Sequence, residues 1–136
     1  MTVNNSRPPT DAMNQYNKVK VETSDQLTLI NLLYDGLYNR LKSAMEKMNR
    51  GELAHVECVK ARDIAQNLFD TIRDDGGELA TNLKSLYLFI YRQVVLGDME
   101  NSSSRIESIL PVVEELRSGW RELKERSQNA DGIRQE

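Results

Sequence analysis

The residues best suited to chemistry in this 136-residue chain are few and close together: Glu52, His55 and Cys58, each three positions from the next. On a helix, residues three apart share a face. A Glu-x-x-His pair is what some helices of a four-helix bundle contribute to a di-metal carboxylate site. Such a site needs a second pair from another helix. His55 is the only histidine, so one protomer cannot complete the ligand set. His55 with Cys58 supplies two zinc ligands where a closed site takes four, and a cysteine on an inward helical stripe acts first as a small apolar residue. A Cys-His nucleophile would need a cleft and a third, orienting group. Gly76 and Gly77 lack the Gly-Lys-Ser/Thr ending of a phosphate loop and read as a helix terminator. The sequence therefore assigns no catalytic residue, no metal ligands and no cofactor, and the chain does not read as an enzyme.

Composition narrows the remaining classes. Eighteen basic and 21 acidic residues leave a net charge of −3, and the two signs alternate along the chain instead of forming a basic face, so no nucleic-acid partner is expected. No run approaches the roughly 20 apolar residues of a membrane helix, and MTVNNSRPPTDAM lacks the apolar core of a signal peptide, so the reading is cytoplasmic with no membrane insertion. Cys58, the single cysteine, cannot form an internal disulfide and fits a reducing compartment. The length suits one domain.

The elements that position these residues are helical. Residues 1–22 are polar and proline-interrupted, an amino-terminal arm or short helix. From Thr23 the positions Leu27, Ile30, Tyr34, Leu37, Leu41 and Ala44 keep a three-four spacing, which predicts a helix over about 24–49. Ala54, Cys58, Ala61, Ala65, Leu68 and Ile72 predict a second helix. A third spans about 78–96, with Gly97 placed to end it. The fourth starts near Ser102 and carries Ile106, Ile109, Val113, Leu116, Trp120 and Leu123 before a polar tail, 127–136. Short connections favour antiparallel neighbours, so the expected fold is all-α, an up-down antiparallel four-helix bundle over 23–126. Pro111 lies inside the fourth pattern and predicts a kink near 108–111. Gly36 and Gly119 mark either close approach of another backbone or simple tolerance.

The third helix carries more apolar residues than one stripe can hold. In LYLFIYRQVVL, Leu86 to Leu96, nine of eleven residues are apolar or aromatic. At about 100° per residue, Leu83, Tyr87, Ile90 and Val94 share one face, whereas Leu88, Phe89, Val95 and Leu96 fall on the opposite one. A helix apolar all round is normally covered all round. Either a broad core takes in Phe89 and Val95 at its flanks, or a partner or the chain's own arm covers the outer face.

Three segments together resemble a known family. QYNKVKVETSDQLTLINLLYDG (15–36), GGELATNLKSLYLFIYRQVVLGD (76–98) and ELRSGW (115–120) are similar, in order and spacing, to the motifs of the FliS family of flagellar chaperones. The resemblance implies an antiparallel helical bundle without catalytic activity. It also implies a partner, the disordered carboxy-terminal segment of flagellin, held along hydrophobic grooves and presented to the flagellar export gate. By position, Met13, Tyr16 and Val19 match the family's amino-terminal apolar motif, implicated in client binding; Leu88, Phe89, Val95 and Leu96 complete the expected partner-binding set. Asp35 and Arg92 also fall on family motifs, with an interhelical ion pair as their suggested use. Leu88, Leu96 and Pro111 depart from the family pattern. The two leucines either widen the client surface or mark a self-association face, and a self-associating structural bundle without a client is the alternative reading.

Overall fold

The computed structural model describes the backbone of residues 12–73 and 75–135 and the side chains of 25–73 and 75–129. It consists of α1 (Ala12–Asn49), α2 (His55–Asp70), α3 (Gly77–Glu100) and α4 (Ser103–Gln135), with no strand among the described residues. Each helix packs on two neighbours: α1 and α3 each lie between α2 and α4. Side-chain pairs show that every neighbour is antiparallel. His55 meets Asp98 and Phe69 meets Lys84 across α2 and α3, while Asn31 meets Trp120 and Asp35 meets Arg117 across α1 and α4. The all-α, up-down bundle expected from the spacing is the observed fold.

The core is the predicted stripes brought together. Tyr34, Leu37, Leu41 and Ala44 of α1 meet Cys58, Ala61, Ala65 and Leu68 of α2, Tyr87, Ile90 and Val94 of α3, and Ile106, Ile109 and Val113 of α4. Each large apolar side chain so buried contributes roughly 1.5–3 kcal/mol. The inward residues of α2 are mostly small, which draws that helix close to α1. Gly36 serves the same approach, since a β-carbon there would stand 3.2 Å from Ile64 Cδ1. Gly119 has open space around it, which fits simple tolerance, while the near neighbour at Gly36 is a side-chain methyl and not another backbone.

Helix ends differ from the sequence expectation in three places. α1 starts at Ala12, well upstream of residue 24. α3 does not stop at Gly97: it runs to Glu100 and is closed by Asn101 in the left-handed conformation, φ 49°. Gly97 instead admits Ile106, whose Cδ1 would lie 3.0 Å from an added β-carbon. α4 continues to Gln135, past the start of the expected polar tail, with Glu122 and Arg126 paired one turn apart. Pro111, where a kink is expected, lies within the continuous run of α4. Pro111 and Glu107, the residue one turn before it, are both exposed, so the backbone groups the ring leaves unpaired face water.

Candidate functional site

Glu52 and His55 do not share a helical face. α2 begins at His55, Glu52 lies in the connection before it, and its carboxylate accepts from Arg50 Nε at 3.0 Å. His55 Nδ1 lies 2.7 Å from Asp98 Oδ2, tying the start of α2 to the end of α3. Cys58 is buried, and desolvation first, then the nearby Asp98 and Glu57 carboxylates, push its thiol up to about 11. Among the described residues, no three His, Cys, Asp or Glu side chains gather as a metal ion would need.

The three motif segments converge instead on an aromatic cluster of two buried tyrosines and a partly buried tryptophan. Tyr34, Tyr87 and Trp120 come from α1, α3 and α4. The Tyr34 and Tyr87 hydroxyls are 2.5 Å apart, and the Trp120 ring stacks on Tyr34 with centroids 6.3 Å apart. Burial raises both phenols above their ordinary range, so each stays neutral and one can donate to the other. Asn31 Nδ2 donates to the Trp120 carbonyl at 3.3 Å. One helical turn along the same seam, Arg117 Nε donates to Asp35 Oδ1 at 2.7 Å, and its guanidinium lies 4.7 Å from the centre of the Tyr38 ring. The ion pair suggested for Asp35 and Arg92 is thus made by Asp35 with Arg117; Arg92 lies on the exposed side of α3. These motif residues act as architecture, locking α1, α3 and α4 at one level of the bundle.

The outer face of α3 keeps apolar surface, as do Leu29 and Leu32 of α1, 51% and 62% exposed, and Val56 of α2, 58% exposed. Leu88 is 41% exposed and Phe89 45%, whereas Val95 and Leu96 are half-buried. The four do not form one patch. Leu88 borders a shallow pocket of about 40 Å³ against Ala65 and Phe69 of α2, with Lys84 Nζ 5.4 Å above the Phe69 ring. Phe89 and Leu96 lie four residues before and three after Gln93, which accepts from Arg105 of α4, so they fall on the α4 side of the helix. The apolar surface of α3 is thus divided, with Leu88 beside the shallow α2–α3 pocket and Phe89 and Leu96 toward α4. The remaining expected site residues, Met13, Tyr16 and Val19, belong to α1, but their side chains lie outside the described residues.

Other exposed apolar residues escaped the sequence reading. Leu79 is 70% exposed at the start of α3, and Leu53 and Met99 are 81% and 77% exposed at the opposite pole. Leu53 lies in a connection, where helical periodicity carries no signal, whereas Leu79 is in register with Leu83 and is nonetheless exposed at the start of α3. No helix among the described residues is long and apolar enough to cross a membrane.

Comparison with known proteins agrees with the three motifs. Residues 9–127 match the family described as flagellar protein FliS. The chain is 31% identical over 116 residues to the flagellar secretion chaperone FliSB of Pseudomonas aeruginosa, covering 80% of this chain and 92% of that protein. It is 27% identical over 123 residues to the flagellar secretion chaperone FliS of Vibrio cholerae, covering 82% and 88%. With the FliS of Bacillus subtilis, also named a flagellar secretion chaperone, it shares 24% identity over 110 residues, covering 79% and 80%. The aromatic cluster built from all three motif segments lies within the matched region, and the chain belongs to the FliS family.

Proposed function

We propose that this protein is a cytoplasmic chaperone for flagellin, without catalytic activity, which holds the disordered carboxy-terminal segment of its client along hydrophobic grooves that include the outer face of α3. Held this way, flagellin cannot polymerise before export and can be presented to the flagellar export gate. The observation that carries this reading is the pair Leu88 and Phe89: adjacent large apolar residues, 41% and 45% exposed, on a helix whose inner stripe is closed. Covering four such side chains, Leu88, Phe89, Val95 and Leu96, is worth roughly 1.5–3 kcal/mol each at full burial. Even discounted for the half already covered, the sum matches the roughly 2–5 kcal/mol spent ordering a flexible segment on binding. Grooves between helices suit a client that becomes helical, because an amphipathic helix lays its apolar stripe into such a channel. The names of the relatives, flagellar secretion chaperones, support the same role. Met13, Tyr16 and Val19 join the client-binding set on the strength of their motif position.

Titration with a peptide from the carboxy-terminal end of flagellin tests the proposal. The wild-type protein should bind it, and Phe89→Asp should bind it more weakly with the fold intact. Absence of binding to the wild type overturns the reading.

A further inference from the structure

The four helices form two hairpins. Residues 50–54 join α1 to α2 and residues 101–102 join α3 to α4, whereas residues 71–76 join one hairpin to the other. Six linking residues reach up to about 20 Å when extended. A slide of one hairpin along the other by seven residues covers only about 10 Å. The short links therefore hold register within each hairpin and leave the register between hairpins to the side chains that meet there.

Apolar side chains choose poorly among these alignments, because the inward stripes repeat every seven residues. On α1 the repeats are Ile30, Leu37 and Ala44, and Tyr34, Leu41 and Met48; on α3 they are Ala80, Tyr87 and Val94, and Leu83, Ile90 and Gly97. α4 does the same with Ile106, Val113 and Trp120. After a slide of seven, apolar residues again meet apolar residues at these levels. In such a seam a polar pair is what fixes register.

The polar pairs between the hairpins are not equally selective. α1 and α3 run parallel, so moving the α3–α4 hairpin by seven residues in either direction sets Ala80 or Val94 beside Tyr34 in place of Tyr87, and Tyr87 beside Leu41 or Leu27. The Tyr34–Tyr87 hydroxyl pair is broken both ways, and a buried hydroxyl left without a partner is costly. The same slides bring Lys124 or Leu110 to Asp35 in place of Arg117, so one of them keeps an ion pair. His55 loses Asp98 in both, but the histidine is largely exposed and such pairs are worth little. Asn31 donates to the backbone carbonyl of Trp120, a group that every register supplies.

We infer that the Tyr34–Tyr87 hydroxyl pair is the register pin of the bundle, selecting one of several apolar-equivalent alignments of the two hairpins. Its effect reaches the surface. Leu88 borders Ala65 and Phe69 of the other hairpin, and a slide of seven residues carries it about 10 Å from them. The outer face of α3 therefore keeps its shape only while the pair holds.

The test reads register separately from stability. Asn39→Cys and Asn82→Cys, at exposed positions of α1 and α3, carry spin labels in the full chain, with Cys58→Ala removing the native thiol. With both tyrosines present, electron–electron resonance should give one distance. Tyr34→Phe/Tyr87→Phe keeps both rings and leaves no orphaned hydroxyl, so it should stay helical by circular dichroism. It should also show a second distance, displaced by up to about 10 Å, in on the order of a tenth of the molecules. Tyr34→Phe alone should do the same, because Tyr87 then lacks a partner in every register; this variant carries the test if the double one fails to fold. Ile90→Ala, which weakens the core without touching the pair, should keep one distance. A single distance in both tyrosine variants overturns the pin and assigns register to the connections. A second distance in Ile90→Ala as well overturns it equally, since lost stability alone would then suffice.

Discussion

The two faces of α3 are built from the same kinds of residue and do opposite things. On the inner face Tyr87, Ile90 and Val94 are fully buried, and the one polar group among them, the Tyr87 hydroxyl, is paired with Tyr34. On the outer face Leu88 and Phe89, immediate neighbours of Tyr87 and Ile90 in the chain, are more than two-fifths exposed. Hydrophobicity does not distinguish Ile90 from Phe89; the number of helices within reach does. The bundle closes around one side of α3 and gains its stability there, leaving the other side as apolar surface held on a rigid support. For a protein proposed to hold a disordered client, this separation lets binding residues vary without unfolding the scaffold.

Substitutions can break or sharpen that division. The largest effect is expected from Ile90→Ala, which opens a cavity between all four helices and should cost about 2–5 kcal/mol of unfolding free energy in urea titrations. Tyr34→Phe should cost about 1–3 kcal/mol by leaving the Tyr87 hydroxyl buried without its partner. The double variant Tyr34→Phe/Tyr87→Phe should lose clearly less than the sum of the two singles, the sign of a coupled pair. Phe89→Asp should leave stability within about 0.5 kcal/mol while weakening flagellin-peptide binding at least about tenfold, about 1.4 kcal/mol. If it instead destabilised the fold as Ile90→Ala does, the two faces would not be separate. The smallest effect belongs to Gly119→Ala: a β-carbon there meets nothing within 4 Å on an exposed part of α4, so the helix should gain roughly 0.5–1 kcal/mol with peptide binding unchanged.

Much of the scaffold was legible because it rests on periodicity. The three-four spacing of Tyr34, Leu37, Leu41 and Ala44, and most of the matching stripes in the other helices, named residues that are buried or packed against the core, whereas Leu123, on the expected stripe of the fourth helix, is 45% exposed. The misreadings arose where a local signal had two uses. Gly97 looked like a helix stop but makes room for Ile106, and Asn101 ends the helix instead. Glu52 stood three residues from His55, but the helix begins only at His55. Arg92 was the arginine within the longest motif, yet Arg117, which stacks on Tyr38, reaches Asp35. Spacing reports which residues share a face of one helix and carries nothing about which face of the next helix they meet.

The sequence by itself determined that the chain is helical, that its single histidine cannot complete a paired Glu-x-x-His set within one protomer, and that its third helix is too apolar for a single stripe, because each of these follows from residue identity and local period. Only the tertiary structure decided how that excess is divided. Leu88 faces α2, Phe89 and Leu96 fall toward α4, and the early end of α2 and late start of α3 leave an apolar opening above Tyr87 and Trp120. Those outcomes depend on where neighbouring helices begin, end and cross, which is set by the packing of all four together.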